Sequence, residues 1–362
     1  MADYRLIGTE MSYYSGKVRA YLRWKGIDFE EVVPTPPVMM GEVMANIGWP
    51  VIPVLQAPDG HYIQDSYDII QHFEEVDIGA SAYPSSPLQH VVSLLIQLYA
   101  DEWLVIPAMH YRWNHNEEWV YGEFGVNASP DGTADEQYAA GKSVGAHFKG
   151  ALPFLGITDE TVAGVEAAYE ATLHDLSVHL EQFPYMLGSR ASFADFCMMG
   201  PLYAHLYRDP ASGALMKRIA PKVADYVERT MAGEGRQGDL LAGDAIPETL
   251  LPILKRQMSE QLPVLLASIP LLEVWAQTAE PGAEVPRGFV PVPFETGGHA
   301  GMCMARSFPL FRLQNALGML GSALSNQEHA TKSLLHKAGG EALLDGPLKA
   351  RLTRRNHKLC LA

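Results

Sequence analysis

Gly48-Trp49-Pro50-Val51-Ile52-Pro53-Val54-Leu55-Gln56, then Asp59-Gly60, then His61-Tyr62-Ile63-Gln64-Asp65-Ser66, is the stretch on which the fold turns. Asp-Gly between two apolar, β-forming runs is a strong short-range hairpin signal, so the run ending at Gln56 and the run 61–64 read as the two arms of a hairpin. Asp65-Ser66 then opens a helix whose buried face is marked by Ile69, Ile70 and Phe73. Upstream, Tyr4 to Thr9 is strand-like. It runs through Met11-Ser12-Tyr13-Tyr14-Ser15-Gly16 into an amphipathic segment, 17–26, with Val18, Tyr21 and Leu22 at helical spacing. Ser12 therefore stands where a strand becomes a helix. Phe29 to Val33 is a further strand, closed by the proline-rich residues 34–37.

Strand, helix, strand, loop, hairpin and helix within about 80 residues resembles the thioredoxin-like amino-terminal domain of the cytosolic glutathione transferases. The resemblance implies that Pro53 is a cis-proline and that the backbone of Ile52 pairs with the cysteinyl part of glutathione. Proline makes such a bond feasible, because a cis X-Pro peptide costs little beside any other cis peptide. Asp65-Ser66 matches the acidic-Ser pair that holds the γ-glutamyl end. Backbone N–H groups and a hydroxyl at a helix start suit its carboxylate, while the Asp side chain can meet its ammonium. Ser12 falls where several classes of the family place a serine or cysteine.

At that position a hydroxyl donor and the positive end of a helix favour the thiolate over the thiol, whose free pKa is near 8.5. Ser12 is thus read as a donor to the bound sulfur and not as a nucleophile. Tyr13, Tyr14 and Ser15 carry hydroxyls in the same turn and stay open as alternatives, the tyrosines ahead of Ser15. The plain structural alternative is that Ser12 or Ser15 only caps the helix and the tyrosines pack.

A second match lies at residues 185–196, where Ser192 precedes Asp195 by three positions. The pair resembles the capping box that starts a buried helix in the transferase carboxy-terminal domain. Between the two matches, 87–109 reads as one long apolar helix kinked at Pro107. Residues 111–127 are aromatic and amide-rich, and His110, Trp113, His115 and Trp119 are candidates to line a pocket for a planar apolar substrate. Packing inside an enlarged helical domain is the competing reading of the tryptophans.

After residue 235 the chain has no family motif. Residues 233–243 are Gly-rich and polar, the best linker candidate. Residues 287–294 alternate like a strand that prolines confine to an edge or a lid, and 306–324 is helical again. The basic tail, with Arg351, Arg354 and Arg355, reads as a surface helix end or a dimer contact. His299 and Cys303 are four apart but lack a second pair of ligands, and no metal is expected.

The expected fold class is α+β: a thioredoxin-like domain at 1–82, an enlarged all-helical domain at 87–235 with an insertion around 111–150, and a mostly helical extension at 236–362. With 362 residues, 48% of them apolar, the chain can build two sizeable cores. Its net charge of -15 argues against nucleic acid as a partner. Three scattered cysteines, no uninterrupted membrane-length apolar run and no charged-then-apolar leader point to the cytoplasm. The resemblance implies glutathione as cosubstrate, a small apolar electrophile as the second substrate, and a homodimer. The reaction is read as conjugation, ether cleavage or dehalogenation. The alternatives are a non-catalytic ligand-binding or scaffold protein, and a glutathione-dependent isomerase. One departure stands out: residues 38–46 offer no basic side chain where many relatives help hold the glycyl carboxylate.

Overall fold

The structure, a computed structural model, describes residues 3–76 and 79–362. Its first strands are β1 (Tyr4–Ile7), β2 (Phe29–Val32), β3 (Val54–Gln56) and β4 (Tyr62–Gln64), in one sheet of order β2-β1-β3-β4. β1 and β2 are parallel, joined by helix α1 (Tyr13–Lys25), whereas β3 is antiparallel to both β1 and β4. Gly60, at φ +87, makes the turn between β3 and β4, a conformation that costs a residue with a Cβ. Helix α2 (Ser66–Glu75) follows β4.

The alternation of the strands assigns the two faces. Ile7 and Val54 are paired and form a buried cluster with Val43 and Ile47 of the helical segment at 36–47. Leu6 pairs with Leu55 on the opposite face, where Tyr4 stands edge-on to Phe73 of α2 at 4.9 Å. This is a thioredoxin-like domain with a mixed sheet, followed by a largely helical remainder.

The helices that follow are α3 (Pro87–Glu102), α4 (Val105–His115), α5 (Glu117–Ala128), α6 (Ala134–Lys149), α7 (Val162–Gln182), α8 (Phe193–Pro201), α9 (Pro210–Ile219) and α10 (Pro221–Met231). A π-helical stretch, Leu202–Tyr207, extends α8. Two compact units emerge. One comprises Met1–Ala82, Ala108–Leu152 and Asp195–Gln237, the other Tyr83–Pro107, Pro153–Ala194 and Gly238–Ala362.

In the first unit, α5 and α6 approach so closely that a Cβ on Gly141 would lie 1.8 Å from the Tyr121 carbonyl oxygen. Asp195 is fully buried and accepts from the Tyr226 hydroxyl at 2.9 Å. In the second unit, the late part of the chain is bonded to α3. Gln257 and Gln261 donate to the carbonyls of Leu95 (2.7 Å) and Leu98 (2.9 Å), and Arg306 donates to that of Glu102 (2.8 Å). Its elements are α11 (Leu251–Arg256), α12 (Leu262–Ala276), the hairpin β5 (Gly288–Thr296) and β6 (His299–Arg306), α13 (Ser307–Ala338), and the hairpin β7 (Leu352–Arg355) and β8 (Lys358–Leu361).

Several local expectations are corrected. The long apolar helix breaks at Trp103–Leu104 and not at Pro107, which sits in the first turn of α4 where a missing N–H costs nothing. The basic tail is a hairpin and not a helix end: Asn356 and His357 both take positive φ, the geometry that joins two twisted strands. His299 and Cys303 lie on β6, so helical spacing does not bring them together. Pro87–His115 is long and apolar enough by composition to cross a membrane, yet 94% of its most apolar window is buried, as in the core helices of many globular proteins.

Candidate functional site

Register brings the sequence signals together. Ile7 pairs with Val54, and Val54 with Gln64, so the end of β1, the start of β3 and the end of β4 form one row across the sheet. Neighbouring strands are about 4.8 Å apart. The residues that leave this row, Gly8 to Ser12, Ile52-Pro53 and Asp65-Ser66, therefore cluster at one end of the sheet. The Ile52-Pro53 peptide bond is cis.

Ser12 is the N-cap of α1. Its Oγ accepts from the Ser15 N–H at 3.3 Å and its carbonyl from the Gly16 N–H at 3.1 Å. The Ser12 hydroxyl proton has no acceptor among the described residues, and the side chain is half-buried. The neighbouring hydroxyl residues differ in access. Ser15 is fully buried, its Oγ 2.8 Å from where a Cβ on Gly8 would stand. Tyr13 is 6% exposed and stands edge-on to His205 at 5.4 Å, while Tyr14 is half-buried. Burial thus separates Ser12 and Tyr14 from Tyr13 and Ser15 as groups that a solvent-borne ligand can reach.

Asp65 caps α2, its Oδ1 accepting from the Tyr67 N–H at 2.8 Å. It does so at φ +88, a conformation that L side chains rarely adopt. Strain of this kind persists where the surroundings over-determine it, often at ligand sites. Ser66 is 4% exposed at the first position of the helix. Asp65→Ala is expected to lose the cap while keeping the strained backbone, at a cost of about 1–2 kcal/mol. Asp65→Gly loses the cap but not the backbone compatibility, so its unfolding temperature by circular dichroism should lie above that of Asp65→Ala.

Residues 9–12 are held from several directions by side chains that sequence reasoning did not single out. Arg112 of α4 is 3% exposed; it donates to both carboxylate oxygens of Asp209 at 2.7 Å, to the Ala204 carbonyl at 2.8 Å and to the Met11 carbonyl at 2.8 Å. Asn127 of α5 donates to Thr9 Oγ1 at 3.1 Å and contacts Met11 Sδ at 3.4 Å. The Tyr203 hydroxyl and the buried Arg19 guanidinium both engage Glu10. A lone arginine inside the aromatic run 111–113 was the available signal, since a charge in such a setting requires a partner.

At the segment that lacks a basic side chain, Glu42 bonds Arg5 at 2.8 Å and Tyr62 at 3.3 Å. The hydrogen bond from Arg5 holds its carboxyl below the ordinary range, against the opposing effect of burial. The four pocket candidates are dispersed in character. His110 is 2% exposed and bonded to Asn114 at 2.8 Å; Trp113 is 1% exposed and stacked on Phe124. His115 is exposed and 5.1 Å from the His110 ring, and half-buried Trp119 lies under the Arg208 guanidinium at 5.3 Å.

Comparison with known proteins agrees with this geometry at the level of the first domain. Residues 6–79 match the family described as glutathione S-transferase, N-terminal domain. No curated protein matches the chain. Among solved structures, a beta-etherase from a Sphingobium species is 17% identical over 63% of this chain and 94% of its own, with a TM-score of 0.45. A glutathione transferase from Phanerochaete chrysosporium is 16% identical over 66% of this chain and 98% of its own, with a TM-score of 0.45. A Tau class glutathione S-transferase from mango is 19% identical over 66% and 93%, with a TM-score of 0.40. Overlaps this partial carry no argument about chemistry. Residues 6–79 are thus similar to the amino-terminal domain of the glutathione S-transferases, and the likeness to that family is carried by this domain.

Proposed function

We propose that the protein is a glutathione transferase-like enzyme that ionises the thiol of glutathione beside Ser12 and directs it at a small apolar electrophile. The observation that carries this reading is the single row Ile7, Val54 and Gln64, from which Ser12, the cis Ile52-Pro53 bond and Asp65-Ser66 all depart. The γ-glutamyl carboxylate is assigned to the start of α2 at Ser66, and the cysteinyl backbone to Ile52 ahead of Pro53. The sulfur is assigned to the start of α1, where the Ser12 hydroxyl has a proton to give. A helix N-terminus adds partial positive charge at both ends of such a ligand.

Attack of the thiolate on the electrophilic carbon of an otherwise apolar substrate forms a C–S bond and either expels halide, alkoxide or aryloxide, or opens an epoxide whose alkoxide then takes a proton from water. The three outcomes are dehalogenation, ether cleavage and conjugation. Accessible Tyr14, His115 and Trp119 are the side chains assigned to the electrophile, in a cytoplasmic homodimer. In this reading residues 1–82 serve glutathione, 87–235 form the helical domain and 236–362 the extension, a division by role that differs from the two compact units of the fold.

The test is loss of free thiol from glutathione mixed with an aryl halide, a benzylic aryl ether or an epoxide. Protein-dependent thiol loss with any of the three supports the enzyme. Glutathione binding without turnover, and without isomerisation of a cis-enone, favours the ligand-binding alternative instead.

A further inference from the structure

We propose that Arg112 is the positioning residue of the turn at residues 9–12, fixing where the Ser12 hydroxyl meets the bound sulfur. This rests on the reading of Ser12 given above. A buried charge is costly. An arginine taken out of water is retained only if nearly all its donors are used, and here four hydrogen bonds serve it. Two of them go to Asp209 and one to Ala204, partners that an ordinary helix-packing pair would explain. The remaining bond goes to the Met11 carbonyl, in the peptide unit that leads directly into Ser12.

That bond completes a sequence of restraints on successive residues. Asn127 holds Thr9, Tyr203 and Arg19 hold Glu10, and Arg112 holds Met11. The Ser12 N–H then donates back to the Thr9 carbonyl at 3.0 Å. A turn that merely capped α1 needs none of these contacts, because the cap itself is made by Ser12 with Ser15 and Gly16. What they fix is the plane of the Met11–Ser12 peptide, and with it the direction in which Ser12 leaves the turn. Displacing a donor by about 1 Å can cost a hundredfold in rate.

Removing Arg112 alone leaves Asp209 buried without its partner and can unfold the protein. Burial pushes the Asp209 carboxyl above its ordinary range even with Arg112 beside it, and taking Arg112 away removes the charge that opposes this effect. The test variant is therefore Arg112→Met with Asp209→Leu, which replaces the pair by apolar side chains. The expected result is a folded protein whose KM for glutathione stays within about threefold while kcat falls about tenfold or more. The pH at which the bound thiol ionises, read from thiolate absorbance, should rise. Arg112→Lys, which supplies a point charge without the planar fork, should restore little of either.

A folded double variant with unchanged kcat and unchanged thiol ionisation overturns the proposal. If the double variant does not fold, Asn127→Ala removes the neighbouring restraint without touching a charge. It should shift the thiol ionisation in the same direction, and an unchanged value overturns the proposal. If the wild-type protein does not bind glutathione, the functional reading fails separately. Positioning is then read from amide hydrogen exchange at Ser15 and Gly16, about tenfold faster in the double variant if Arg112 holds the turn and unchanged if it does not.

Discussion

Ser12→Ala is expected to lower kcat/KM about 10- to 100-fold at pH 7, the effect of removing one hydrogen bond to a charged group, about 1.5–3 kcal/mol. The deficit should have a defined pH dependence. A donor to the sulfur stabilises the thiolate and holds the thiol pKa below its free value, so losing it raises that pKa. The acid limb of the kcat/KM profile should move to higher pH. The variant should then recover part of its activity as pH rises through the new value, where the thiolate forms without help.

Ser12 also caps α1, and alanine removes that bond as well. Ser12→Gly separates the two roles, since glycine at an N-cap costs only a few tenths of a kcal/mol. It should be nearly as stable as wild type by thermal unfolding and about as inactive as Ser12→Ala. Stability and activity falling together in alanine but fully retained in glycine would assign Ser12 to the helix alone.

Gly141→Ala is expected to be the most damaging single-methyl change in the first unit. The added Cβ would lie 1.8 Å from the Tyr121 carbonyl oxygen and 2.8 Å from the Gly125 amide nitrogen, backbone atoms that cannot rotate away. Replacing glycine by alanine within a helix ordinarily gains up to about 1 kcal/mol. Here the clash must push α5 and α6 apart, and overpacking costs about 1–3 kcal/mol or more. We expect a net loss of about 2 kcal/mol or more in denaturant unfolding.

Gly122→Ala on α5 is the matched control, with nothing within 4 Å of the new methyl. It should be neutral or stabilising. Because Asn127 of α5 reaches Thr9, separation of α5 and α6 should also disturb the turn at Ser12. A stability loss in Gly141→Ala with no change at that turn would show that α5 tolerates the movement beyond its middle.

The parts of the fold legible in the sequence are those encoded by neighbours. Asp59-Gly60 predicts the β3–β4 turn because only local backbone geometry is at stake, and the spacing of Val18, Tyr21 and Leu22 predicts α1 as a helix, although not that Lys17, Arg19 and Ala20 are buried as well. The Ile52-Pro53 cis bond was implied by resemblance and not by the residues alone, since a proline permits that geometry without requiring it. The basic charges of the tail do not reveal its hairpin, because Asn356-His357 is a turn pair of a kind that the familiar Asn-Gly signal does not cover.

The clamp around Ser12 was the least legible part. Arg112 and Asp209 are 97 positions apart, and nothing in either segment names the other. Likewise, Gly125 of α5 and Gly141 of α6 read as poor helix residues until the approach of the two backbones gives them a reason. The substrate candidates show the ambiguity of aromatic runs: Trp113 and Trp119, six positions apart, are respectively sealed between helices and half-open beneath an arginine.

The most direct measurement is calorimetric titration of the wild-type protein with glutathione, beside Ser66→Ala. Saturable one-to-one binding with a Kd below a millimolar, weakened about tenfold or more in Ser66→Ala by loss of a hydrogen bond to a charged group, is the result the account predicts. Absence of binding at millimolar glutathione, or identical binding by the two proteins, would contradict it.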